Sequence, residues 1–258
     1  MVLSEQTPVK IVITVLILLV AISLLVKGKR KGIKGVSILG LCFIALAGIM
    51  FNRISTDFFP DAITSGKTYF YMIVAFYYVI YALFTHFTFY GGKNSPIKLI
   101  ILFNIIAAIT MFFLTISAEL TGQWANADTP VQELHINFLI AYYINIGMNL
   151  ITTSWRFNTS RISYAEIKEN DTVEDWIKLR YKFVMISSIL WIIVGMILPI
   201  LLTINPFSSL LFFAYIGLEI VSWGAPKKIK AWANRNFTSE DQSTSMSEEE
   251  ILKQMGEN

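Results

Sequence analysis

Apolar residues fall in long blocks separated by short polar punctuation, and polar positions inside the blocks are few. Seven blocks stand out, at 9–26, 33–52, 68–90, 97–118, 136–157, 182–204 and 206–225. Crossing a hydrocarbon core of about 30 Å takes roughly 20 helical residues, and each block is near that length. Strands would show apolar and polar positions in alternation. These blocks do not alternate, and a helix satisfies its backbone hydrogen bonds within itself. The expected fold is an all-α integral membrane protein, a seven-transmembrane-helix bundle.

Composition agrees. Apolar residues make up 55% of the 258-residue chain and charged residues 15%, with a mean hydropathy of +0.58. A soluble domain carries about 25% charged residues. The charges lie mainly between the blocks, where they report orientation and not a nucleic-acid partner. Lys27, Lys29, Arg30, Lys31 and Lys34 follow the first block, and Lys93 and Lys98 follow the third. Arg156, Arg161, Lys168, Lys178, Arg180 and Lys182 surround the fifth connection, and Lys227, Lys228, Lys230 and Arg235 follow the last block. The opposite side holds Lys10, Arg53 and Lys67. This asymmetry predicts the N-terminus outside and the C-terminus in the cytoplasm. Lys10 is the only basic residue before the first apolar run, which therefore reads as a retained span and not a cleaved signal.

The last block ends at Ala225-Pro226 and passes into a basic segment. There Ile229, Trp232, Ala233 and Phe237 recur at helical spacing, which predicts an interfacial amphipathic helix with its lysines toward anionic lipid. The domain reading is a seven-helix domain over 1–225, the amphipathic helix over 226–237, and an acidic, mostly disordered cytoplasmic tail over 238–258. Of the inner connections only the fifth, 157–182, is long. Within it Thr172-Val173-Glu174-Asp175 predicts a helix start near Val173, well ahead of the sixth block.

Polar groups inside the blocks are the candidates for function, because each costs free energy unless it is paired or hydrated. On the fifth block Tyr142, Asn145, Asn149 and Thr152 form one helical stripe. On the seventh Ser208, Tyr215, Glu219 and Ser222 form another. The fourth offers Asn104 and Thr115, and the third is rich in tyrosine, including Tyr78 and Tyr81, before it ends in His86. Interhelical hydrogen bonding that holds the bundle together is the plainer reading of the asparagines. Glu219 stands about two turns from the inner end of its block, at a depth similar to His86, Asn149 and Thr152. That registry predicts a polar pocket in which His86 faces Glu219. Trp191 and Pro199 predict a packed aromatic and a kink in the sixth block.

Several chemistries lack their residues. A single cysteine, Cys42, leaves no intrachain disulfide and no multi-cysteine metal site. His86 and His135 lie at opposite ends of their blocks, which does not suit paired haem ligation. Gly-x-Ser-x-Gly, glycine-rich phosphate loops and zinc spacings are missing. No cofactor and no enzymatic activity are expected.

The plan of seven spans with a long fifth connection and a basic segment after the last is similar to that of the seven-helix receptors, in topology only. Thr88-Phe89-Tyr90-Gly91 stands where their Asp/Glu-Arg-Tyr element would be. The microbial retinal proteins share length and topology, but the last block here has no lysine for a Schiff base, and the Pro-Gln pairs of seven-span sugar transporters do not occur. The functional expectation is a membrane sensor or receptor-like protein. Its outer-facing cavity, lined by third-block tyrosines with Tyr142 and Asn145, would take a small-molecule ligand. The 157–182 connection and the C-terminal tail would meet a cytoplasmic protein partner. The alternative is a small-solute or proton transporter or channel with Glu219 and His86 on its path, and a structural subunit without a ligand comes third. Beyond these the expected partner is the lipid bilayer, with no nucleic acid.

Overall fold

A computed structural model describes residues 7–58, 63–89, 97–121, 136–171, 173–197, 206–224 and 226–235. Among the described residues the structure is all-helical, 93% helix, with no strand. In order come α1 (Thr7–Lys31), α2 (Lys34–Phe58), α3 (Ile63–Phe89), α4 (Ile97–Thr121) and α5 (Ile136–Ile167). Then follow α6 (Asp175–Trp191), which continues as a π-helical turn over Ile192–Ile197, α7 (Pro206–Gly224) and the short α8 (Lys227–Ala233). His135, Pro199 and Phe237 and the 238–258 tail lie outside the described residues.

Four helical stretches are long and apolar enough to cross a membrane: Lys10–Lys31, Lys34–Asn52, Met72–Phe89 and Ile97–Ile116. In α7, Leu211–Gly224 is a shorter apolar stretch. α5 is longer than any of these, but polar and charged residues interrupt its hydropathy.

Several helix ends depart from the apolar blocks, and α1 and α5 show why. Hydropathy marks where lipid is tolerated, whereas a helix continues until a backbone signal stops it. α1 therefore runs beyond its apolar block through Gly28-Lys29-Arg30-Lys31 and stops at Gly32, which adopts φ 70°. The stop is a Schellman motif: the Ile33 N–H donates to the Gly28 carbonyl (3.0 Å) and the Gly32 N–H to the Lys29 carbonyl (3.4 Å). Likewise α5 has no glycine or proline after Leu150 and stays helical to Ile167. The expected long connection over 157–182 is thereby corrected. Most of it is helix, and only residues 168–174 join α5 to α6. The start of α6 at Asp175 lies two residues from the expected one.

The chain divides into two compact units, Met1–Phe87 with Asn94–Asn149, and Thr88–Lys93 with Leu150–Asn258. The division falls within α5. In the first unit α1 and α2 form a hairpin. Thr14, Ile17, Ala21, Leu24 and Gly28 are buried, a spacing that alternates three and four residues. Val12 before them and Val15, Leu16, Leu19 and Ile22 between them are exposed, as suits a lipid-facing side. Glycines set how closely the two helices approach. A Cβ on Gly28 would stand 2.6 Å from the Ser37 backbone nitrogen, and one on Gly40 would stand 2.7 Å from Leu25 Cγ.

α4 shows a similar division. Asn104, Ala108, Met111 and Thr115 are buried along one stripe, whereas Leu99, Phe103, Ile106 and Phe113 are exposed. In α3 the buried rings of Tyr77, Tyr78, Tyr81 and Phe84 pack on one another, with Tyr77 and Tyr81 stacked at 6.0 Å. Across the unit the Asn145 amide donates to the Asn104 side-chain oxygen at 2.9 Å, both residues being fully buried.

Candidate functional site

The second unit contains a buried ion pair. Arg156 of α5 donates from Nη2 to Oε1 of Glu219 on α7 at 2.5 Å, with the side chains 0% and 1% exposed. The same nitrogen reaches the Ser187 hydroxyl of α6 at 3.2 Å, and Ser187 in turn donates to the Val184 carbonyl at 3.0 Å. The other carboxylate oxygen, Oε2, accepts the indole N–H of Trp223 at 3.0 Å, one turn further along α7. Three helices thus meet on one guanidinium–carboxylate contact.

Helical spacing stacks aromatic groups on both sides of this contact. Tyr215 lies one turn before Glu219 and Trp191 one turn after Ser187; their ring centres are 4.8 Å apart. Trp191 also covers Gly195, where a Cβ would stand 2.8 Å from the indole, so the π-helical turn has a glycine at the point of contact. On the other side Trp223 is held between the Arg180 guanidinium, 4.4 Å from its ring centre, and the edge of Phe89 at 6.1 Å. Aromatic layers on both sides lower the local dielectric, which strengthens the pair and raises the penalty for leaving either member alone.

A second cluster ties α8 to the start of α6. Val173, Trp176, Ile177 and Tyr181 form a buried core, against which Tyr164, Ile167, Ile229 and Ala233 pack. Glu174, the residue before α6, makes no side-chain cap of its own. Asn234 supplies the cap instead. Its side-chain oxygen accepts the Trp176 backbone N–H at 2.8 Å, and its amide donates to Glu174 Oε2 at 2.8 Å. Lys230 Nζ meets the same carboxylate oxygen at 3.0 Å. The apolar residues of α8 are therefore divided: Ile229 and Ala233 pack on protein, while Trp232 is 58% exposed.

The nine residues singled out from the sequence are all buried. Tyr78, Tyr81, His86, Tyr142, Asn145 and Asn149 belong to the first unit, and Thr152, Tyr215 and Glu219 to the second. Tyr142 lies against Tyr143 at 5.7 Å, and His86 meets the Phe87 ring edge-on at 5.2 Å. The Glu219 carboxylate accepts hydrogen bonds from Arg156 and Trp223, within its own unit, while His86 belongs to the other. Sequence reasoning placed Arg156 among the loop charges because the apolar run ends beside it. Its position carried the signal: it follows Asn149 by seven residues and Thr152 by four, on the same stripe. That stripe goes on to Ser160 and Ser163, both buried. Trp223, four residues after Glu219, was legible in the same way.

Among the described residues no three His, Cys, Asp or Glu side chains gather as metal ligands. What the arrangement offers chemically is an enclosed charge pair shared by three helices, which can be made or broken as a unit. Comparison with protein-family models, curated proteins and solved structures finds no match to this chain.

Proposed function

We propose that this chain is a seven-span, receptor-like membrane sensor, with its N-terminus outside and its C-terminus in the cytoplasm. The basic residues at the α1–α2 turn, along the α5–α6 connection and on α8 support that orientation. In this reading α5, α6 and α7 supply the last three spans. The ends of α5 and α6, with the C-terminal tail, present a surface to a cytoplasmic protein partner. A small ligand enters from the outer side among the α3 tyrosines, Tyr142 and Asn145.

The observation that carries the reading is the Arg156–Glu219 pair. A buried ion pair adds little net stability over an apolar packing of the same volume, and fixing register or switching is its best-attested use. Here it joins three helices at one point, so breaking it frees α6 and α7 together relative to α5. That is the two-state element a sensor requires. Transport of a small solute or proton is the second reading, favoured by the same pair, because ionisable residues inside spans often mark ion paths.

The test uses spin labels on Glu169→Cys and Lys228→Cys in a Cys42→Ala background, with distances measured in nanodiscs. A sensor predicts two distance populations whose ratio shifts in Glu219→Gln, and proteoliposomes that pass no proton or solute current. A single distance unaffected by Glu219→Gln, together with measurable flux, would favour the transporter.

A further inference from the structure

α8 is not free to roll. Ile229 and Ala233 are seated on the Val173–Trp176–Tyr181 core, and Lys230 and Asn234 are joined to Glu174. With these four positions turned to protein, helical geometry directs Lys228 and Trp232 away from it, and both are exposed, as are Lys227 and, just past the helix end, Arg235. The Arg235 guanidinium stands 5.5 Å from the centre of the Trp232 ring. α8 begins three residues after the apolar α7 ends at Gly224, and it carries an indole that is 58% exposed and flanked by two exposed cations, Lys228 and Arg235.

We propose that this outward face of α8 is a binding site for an anionic phospholipid headgroup, with Trp232 seated at the level of the upper acyl chains and Lys228 and Arg235 meeting the phosphate and the headgroup carboxylate. Charge complementarity and continuity with α7 identify the occupant. A tryptophan takes the headgroup level because its ring is apolar and its N–H is polar. Cations next to it add attraction that a zwitterionic lipid does not return. The protein-facing clamp makes this a fixed site, in contrast to a helix that floats among headgroups: Lys230, the remaining lysine of the segment, is directed to Glu174 and not to lipid. The inference rests on the membrane reading of α7 in the proposed function.

The experiment uses the full-length protein in mixed phosphatidylcholine–phosphatidylserine nanodiscs in which one lipid or the other is brominated high on its acyl chains. The emission lost in Trp232→Phe isolates this indole from the other tryptophans. Brominated phosphatidylserine is expected to quench Trp232 more strongly than brominated phosphatidylcholine. Lys228→Gln and Arg235→Gln should each reduce that preference about fivefold while quenching by phosphatidylcholine persists. Equal quenching by the two lipids, or none, would overturn the site. Both leaflets of a nanodisc are alike, so this result does not depend on which side α8 occupies. The topology is read separately, from labelling of Lys228→Cys by an impermeant thiol reagent in intact cells. Labelling from outside would contradict the orientation and leave the lipid result standing.

Discussion

The two units bury polarity in different ways. In the first, helices approach through small residues, Ala21, Gly28 and Gly40, and the buried polar contact between Asn104 and Asn145 is neutral. In the second, charged side chains join the elements beside the aromatic packing: Arg156 with Glu219, Lys230 with Glu174, and Arg180 over Trp223. Lipid tails are as apolar as leucine, so burial alone does not draw spans together, and close packing or hydrogen bonds must do it. The first unit relies on packing, which is permanent. The second adds a charge contact that is costly to break and that is directional, made in one arrangement of its helices and lost in another. A region that must change state is better served by the second design.

Substitutions can break this contrast, and the largest effect belongs to the ion pair. Arg156→Met leaves the Glu219 carboxylate buried with only the Trp223 indole, and should destabilise the protein by about 3–5 kcal/mol, read as a fall in midpoint in denaturant titrations of the reconstituted protein. In the first unit Gly40→Leu should cost about 1–3 kcal/mol, because its Cβ alone would stand 2.7 Å from Leu25 Cγ and 3.0 Å from the Ala21 carbonyl. Disulfide crosslinking between cysteines on α1 and α2 would report the parting of the hairpin. A smaller effect is expected at the α8 clamp. Asn234→Ala removes the cap of α6 and should cost about 1 kcal/mol, with faster hydrogen exchange at the Trp176 amide. The smallest is Asn145→Leu, at about 0.6 kcal/mol, since a neutral interhelical hydrogen bond in a membrane protein is worth little. An effect of Asn145→Leu as large as that of Arg156→Met would erase the distinction between the units.

How much of this was legible in the chain depends on which physical signal marked it. Helical blocks were plain, because long apolar runs leave few alternatives. Their ends were not: Arg30 and Lys31 in α1, and Arg161 and Glu166 in α5, are polar yet excellent in a helix, so the apolar run stops before the helix does. Faces of α1 were hidden as well. Val15 and Ile17 are equally apolar, and only packing makes one exposed and the other buried. Glu219 stood out as a lone carboxylate, and its burial follows from its place in α7. Its partner was obscured, because Arg156 sits where the apolar run of α5 gives out and resembles a loop charge. Following the polar stripe past Thr152 would have found it. The cap from Asn234 to Trp176 joins residues 58 apart in sequence, and no local pattern announces it.

The central claim is that Arg156 and Glu219 act as one unit whose purpose is not stability. The most direct measurement is a double-mutant cycle on unfolding free energy in nanodiscs, with Arg156→Met, Glu219→Met and the two combined. The account predicts that each single substitution is strongly destabilising and that the double variant returns close to wild type, because two apolar side chains of similar volume replace the pair without an orphaned charge. If the losses of the two single variants simply add in the double variant, the residues are independent, and the three-helix switch is contradicted.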